Sequence, residues 1–182
     1  MWKKVLKELL STGLWLLGVL LVSLFVVTYI VQRTEVDGQS MEPKLENGDN
    51  LMVDKVSYRF RDPERFEIIV LRPFPSQKNT LYIKRIIGLP GETIQIREDG
   101  TILINGEKLE ESYGKEIIKP ENIGRANEPI TLGDDEYFVM GDNRNNSGDS
   151  RNKQIGNINR SQIIGRAWIR IWPISKWCVI HK

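Results

Sequence analysis

No charged residue stands between Glu8 and Arg33. The 24 residues from Leu9 to Gln32 are mostly Leu and Val and contain no proline. As a helix such a run covers about 36 Å, enough to cross a bilayer with some tilt. The other reading is a cleavable leader, whose apolar region is shorter, about 7–15 residues, and ends in small residues. Here the run ends Val27-Thr28-Tyr29-Ile30-Val31, with no small-x-small pair. A retained span is therefore expected. Lys3, Lys4 and Lys7 precede it against Glu8 alone, and that bias predicts a cytoplasmic N-terminus. The chain then divides into a basic segment 1–8, a transmembrane helix 9–32 and an outer domain 33–182.

The outer domain reads as mainly β. Runs rich in Ile, Val and Leu at 51–56, 67–71, 80–87, 93–97, 137–140 and 163–171 are strand candidates. Asp99-Gly100 and Asn105-Gly106 flank Thr101 to Ile104, and both dipeptides favour tight turns between antiparallel strands. Helical periodicity is poor after the apolar run, and eight prolines punctuate the whole chain. The expected fold is an antiparallel β-sheet, folded or barrel-like, behind one N-terminal helix. A net charge of +2, with no basic block beyond the N-terminus, argues against a nucleic-acid partner.

The chain has one histidine, His181, and one cysteine, Cys178, both near the C-terminus. A Ser-His-Asp or Cys-His site is poorly served by such placement, and so is a metal site built on several such ligands. No metal or cofactor is expected. Nucleophilic chemistry in this chain would need a lysine or a carboxylate as base. Lys84 lies in Leu81-Tyr82-Ile83-Lys84-Arg85-Ile86-Ile87. On a strand it shares a face with Tyr82 and Ile86. Burial there favours a neutral amine, which can accept a proton. The bland reading is a lysine that snorkels out of a half-buried strand. Asp37-Gly38-Gln39-Ser40-Met41-Glu42-Pro43 follows the apolar run closely. By itself it reads as a turn, and Glu42 breaks the Gly-x-Ser-x-Gly elbow. Gly141-Asp142-Asn143-Arg144-Asn145-Asn146-Ser147-Gly148-Asp149-Ser150-Arg151 follows the strand Glu136 to Met140. It is either a solvated loop or a loop that mounts catalytic groups.

Together the segments GQSMEP, YIKRIIGLPGE and GDNRNNSGDSR, in this order behind a single anchor, resemble bacterial type I signal peptidases, in the branch typical of Gram-positive bacteria. The resemblance implies a membrane-bound serine endopeptidase that cuts signal peptides from exported preproteins. It implies Ser40 as nucleophile and Lys84 as general base. The Ser147 hydroxyl would orient the amine, and Asp142, Arg144, Asp149 and Arg151 would hold the loop. The Ser40 N–H would serve the oxyanion. Gly38, also assigned to the oxyanion, stands where some members carry a second, hydroxyl donor, so a backbone group or water would serve instead. Val36, Met41, Leu45, Tyr82 and Ile83 match positions near the substrate pockets, which prefer small residues at the first and third places before the cut. A small β insertion is implied around 98–132. Lys44 stands where threonine is common.

Two other readings compete. One is a self-cleaving repressor of the SOS type, which also uses Ser and Lys on a β fold. The other is a tethered, non-catalytic binding domain. At the C-terminal end, Ala167 to Pro173 and Trp177 are rich in tryptophan. On a strand Ile169 and Ile171 would face the core. Trp168, Arg170 and Trp172 would face the other way, toward a neighbouring part of the domain or toward a lipid bilayer.

Overall fold

The computed structural model describes residues 2–77 and 80–181. Met1, Lys78, Asn79 and Lys182, which fall within the expected basic segment and outer domain, lie outside the described residues. Helix α1 spans Trp2–Phe25 and continues as a π-helical turn, Val26–Ile30. No residue of either packs into a core. The helix is long and apolar enough to cross a membrane. It differs from the expected 9–32 at both ends. The lysines at 3, 4 and 7 are helical, while Val31 and Gln32 already belong to strand β1, Val31–Glu35. The helix stops there because the β1 backbone groups pair with a second strand instead of continuing the helical ladder.

That second strand is β2, Asn50–Asp54. Strands β3, Ile68–Leu71, and β4, Tyr82–Gly88, follow. Strands β5, Thr93–Ile96, β6, Ile102–Ile104, β7, Glu107–Lys108, and β8, Ile130–Thr131, come next. The chain closes with β9, Glu136–Met140, β10, Ile158–Asn159, β11, Ile163–Trp172, and β12, Cys178–Val179.

The main sheet runs β1-β2-β11-β3-β4-β9-β10, with β12 added to β11. Every pairing in it is antiparallel. β1 and β4 are separated in that order by three strands. Even so, the end of β1 and the start of β4 line one cleft. Only a sheet curled on itself can do that. Inside the curl, Val36, Met41, Leu45, Leu51, Val53, Ile68, Val70, Ile83, Ala167 and Ile180 form one core. On the outer face, Ile69, Leu71 and Ile86 pack with Tyr137, Val139 and Ile158. Strands β3 and β4 are buried on both faces, which is why β3 is apolar throughout and β4, between its ends, is apolar but for Lys84 and Arg85. Each fully buried Ile or Leu there contributes roughly 1.5–3 kcal/mol.

β5 to β8 form a second, smaller sheet in the order β7-β6-β5-β8. It starts at Thr93, earlier than the expected 98. β5 pairs with both β6 and β8, and Ile94 and Ile96 pack with Ile102, Ile118 and Ile123. Asn105 and Gly106 both take positive φ, 54° and 86°, at the β6–β7 turn, as an Asn-Gly hairpin requires. The polar stretch 115–127 is held as two short 3-10 turns, with Ile118, Ile123 and Ala126 buried beneath it.

β11 departs from strict alternation. Register shifts at Ala167/Ile169 and Arg170/Trp172 interrupt it. Ala167 is the core position, while Ile169 and Ile171, expected in the core, are only half-buried. Arg170 is drawn instead to Asp49, Nη1 to Oδ2 at 2.8 Å. Trp168, Trp172 and Trp177 are exposed.

Candidate active site

Between β1 and β2 the chain makes a loop tied at its base. The Val36 N–H donates to Asp49 O and the Gly48 N–H to Val36 O, both at 2.8 Å. Within it Met41 and Leu45 turn inward to the core, joined by Leu45 N–H to Met41 O at 2.9 Å. This leaves Ser40 on the outer side of the turn. Lys84 comes from β4, and its Nζ lies 2.7 Å from Ser40 Oγ. Its other hydrogen bond goes to the carbonyl of Ile83, at 3.0 Å. The Tyr82 ring centre is 5.2 Å from the amine. Lys84 is 5% exposed and, among the described residues, forms no ion pair. Burial pulls its pKa down from 10.5 to about 8, with Arg151 adding to the fall and Asp149 and Asp142 opposing it. That shift corresponds to about 3 kcal/mol against the charged form. A neutral amine beside a hydroxyl takes the hydroxyl proton on its lone pair.

The loop after β9 fixes the other side. The Asn143 N–H donates to Ser40 O at 3.0 Å, and its side chain to Gln39 O at 3.1 Å. Gly141 lies so close that a Cβ there would collide with the Ser40 carbonyl and with Ser147 Oγ. Asp149 accepts from the Gly141 N–H at 3.1 Å and from the Arg151 guanidinium at 2.8 Å. Arg151 also donates to Asn122 O at 2.8 Å. Asp142 pairs outside its own loop, with Arg85. Two parallel bonds of 2.7 and 2.6 Å join them, both groups being fully buried. Arg144 donates to Gly141 O at 3.0 Å and pairs with Glu111 of the chain leaving β7. Arg85 and Glu111 were missed by sequence reasoning. Arg85 carried a signal, being a second cation inside an apolar strand. Glu111 carried none.

Three expected roles are not met by this geometry. Ser147 does not bond the lysine amine. Its hydroxyl is buried against Gly141 and has no hydrogen-bond partner. The amine's second contact is the carbonyl of its own strand. The Gly38 N–H is not open to an oxyanion, because it donates to Asn47 Oδ1 at 2.7 Å. Gly38 serves the turn, with φ of 94°. Leu45 does not line the cleft. The turn from Met41 points it into the core.

The cleft beside Ser40 has a volume of about 480 Å³. Val36, Met41, Tyr82 and Ile83 line it together with Ser40 and Lys84. Among the described residues the Ser40 N–H has no acceptor. A cavity of similar volume holds Glu67, Arg166 and His181 but shares no residue with this cleft. The only histidine therefore plays no part at Ser40.

Residues 9–172 match the family described as Signal peptidase, peptidase S26. The chain belongs to the signal peptidase family. A probable signal peptidase I-2 of Synechocystis sp. is 37% identical to it, over 92% of this chain and 75% of that protein. Signal peptidase I of Leptolyngbya laminosa is 40% identical, over 92% and 82%. Signal peptidase I P of Bacillus subtilis subsp. natto is 38% identical, over 89% and 90%. A solved signal peptidase I from Enterococcus faecalis V583 is 35% identical, with a TM-score of 0.46, over 58% of this chain and 97% of that one.

Membership makes the chain a peptidase, and the polar groups around the signal peptidase cleft can be sorted on that basis. Ser40 and Lys84 line it together with the titratable or hydroxyl side chains of Thr34, Glu35, Asp37, Thr80 and Tyr82, and among the described residues only Ser40 and Lys84 are hydrogen-bonded to each other across it. The charged residues of the 141–151 loop lie behind Ser40 and are consumed by one another, by Arg85 and by Glu111.

Proposed function

We propose that Ser40 and Lys84 are the nucleophile and general base of this signal peptidase. The chain is a serine endopeptidase that removes signal peptides from exported preproteins. The observation that carries the dyad is the 2.7 Å contact between Ser40 Oγ and a buried, carboxylate-free Lys84 Nζ. Ser40 Oγ attacks the scissile carbonyl as its proton passes to Lys84. The amine then delivers that proton to the departing nitrogen, leaving an acyl-enzyme. Water, deprotonated by the same amine, releases the product. The Ser40 N–H donates to the oxyanion.

The cleft suits an extended peptide. Residues 82–84 pair with β3 on one side, while β9 joins β4 only from Arg85 onward. Their other edge is open toward the cleft, and a substrate strand adds there. Alternate side chains then meet Val36, Met41 and Ile83, a shallow floor that favours small residues at the first and third positions before the cut. The apolar helix is the anchor of a single-pass cell-membrane protein, with residues 2–8 cytoplasmic and the β domain outside. Because β1 follows the helix without a linker, the cleft is held near the bilayer in which the signal peptide lies. The test is cleavage of a preprotein by the purified full chain, with Ser40→Ala as comparison. Equal cleavage by that variant would remove Ser40 from the mechanism.

A further inference from the structure

Residues 110–115 leave the second sheet and cross to the main one. They form no strand there, yet the bonds of this strap to the main domain fall almost entirely on residues that surround the nucleophile. Glu111 accepts from both terminal nitrogens of the Arg144 guanidinium. The Lys115 N–H donates to Asp142 O at 2.8 Å. The Lys115 amine meets Glu42, two residues after Ser40, at 2.9 Å. The Tyr113 ring covers the Arg85 guanidinium, 3.8 Å from its carbon to the ring centre, and also packs on Phe66.

We infer that Tyr113 and Lys115 are positioning residues that hold Ser40 in line with Lys84 from two sides. The inference deepens the dyad reading and rests on it. One path runs from the Tyr113 ring to Arg85, from Arg85 to Asp142, and from Asp142 to its neighbours Gly141 and Asn143, which touch the Ser40 carbonyl. Arg85 is wholly buried, and each of its three guanidinium nitrogens donates in the plane, two to Asp142 and one to Phe66 O. What these bonds leave uncovered is the face of the cation. An aromatic face is the group that covers it at low cost. The other path runs from Lys115 to Glu42 and fixes the turn that carries Ser40. A gap of about 300 Å³, lined by Pro43, Lys44, Arg85, Ser112, Tyr113 and Asp142, separates the strap from that turn. The turn therefore has room to shift when its ties are cut. Among the described residues the Tyr113 hydroxyl makes no hydrogen bond, so the ring is what matters.

The experiment compares kcat, KM and the pH–rate profile of the full chain in detergent on one preprotein, for Tyr113→Leu, Tyr113→Phe, Lys115→Met and Ser40→Ala. Misplacing a reacting group by an ångström costs on the order of 100-fold. Tyr113→Leu is expected to lower kcat about tenfold or more, with KM within about twofold. Its rising pH limb stays where it was, since Lys84 keeps its surroundings. Tyr113→Phe restores the wild-type rate. Lys115→Met, at an exposed side chain that the fold does not need, lowers kcat about threefold or more. Should Tyr113→Leu fail to fold, Lys115→Met decides alone. Unchanged kcat in Lys115→Met and Tyr113→Leu would overturn the inference. So would a loss in Tyr113→Phe as large as in Tyr113→Leu. Activity retained by Ser40→Ala would instead overturn the dyad, a separate outcome.

Discussion

Lys84 and Arg85 are neighbours on β4 with opposite electrostatic settings. Arg85, with no exposed surface, shares two hydrogen bonds with Asp142. Lys84, nearly as buried, has no carboxylate of its own. The two acids that would keep it charged, Asp142 and Asp149, are taken by Arg85 and Arg151. A lysine stays protonated when an acid holds it and gives up its proton when burial is uncompensated. The arginines therefore protect the neutral state of the base.

Cleavage rate is expected to rise with pH along a limb near pH 8, because only the neutral amine accepts the serine proton and burial lowers its pKa to about 8. Arg151→Gln removes a group that lowers that pKa and frees Asp149 to raise it. The limb should then move to higher pH, and the rate at pH 7 should fall. A pH–rate profile of both proteins measures this. A flat profile from pH 6 to 9, or a shift to lower pH in the variant, would contradict a lysine base.

Lys84→Met is expected to abolish cleavage and stabilise the fold. The folded pKa, about 8, lies below the ordinary value of 10.5. Below pH 8 the amine is charged in both states, and the folded state bears the full burial cost. Between pH 8 and 10.5 the folded amine is neutral while the unfolded one still binds a proton, so that cost fades. The gain from Lys84→Met should be about 1–3 kcal/mol at pH 6–7 and smaller at pH 10. Denaturant melts at both pH values test it. Lys84→Arg should be inactive too, since guanidinium stays charged.

Arg85→Met leaves Asp142 buried without its cation. Breaking such a pair costs about 3–5 kcal/mol, so this variant should unfold at markedly lower denaturant. Replacing both partners, Arg85→Met with Asp142→Leu, should recover much of the stability without recovering activity, since the contact behind Ser40 is still altered. Urea melts and a cleavage assay separate the two effects.

Trp172 is 55% exposed, Trp177 60% and Phe60 84%. Phe60 sits in a loop whose Lys55 donates to Thr28 O of the anchor helix at 2.7 Å, which sets it at the level where the helix ends. A protein beginning at Val31 should bind lipid vesicles, with a blue shift of tryptophan fluorescence, and Trp172→Ala or Phe60→Asp should weaken the binding. If no binding and no shift occur, the helix alone holds the domain at the membrane.

Ser40 was implied only by the family resemblance; the sequence by itself determined the apolar helix, the strands β2 to β6, β9 and β11, and Lys84 as a candidate base. Each of these rests on local chemistry: a long uncharged run, β-branched alternation, an Asn-Gly turn, a lysine set among apolar neighbours. The helix end was misjudged by two residues, because Val31 and Gln32 are as apolar or uncharged as the run before them and only pairing with β2 recruits them to a strand. Tertiary structure alone decided the partners. That Asp142 binds Arg85 and not a neighbour in its own loop, and that Glu111 answers Arg144, depend on contacts between residues far apart in the chain. So does the closeness of Ser40 to Lys84, which are 44 residues apart. Side-chain type limits which groups can pair. The curl of the sheet, which no local pattern encodes, decides which of them meet.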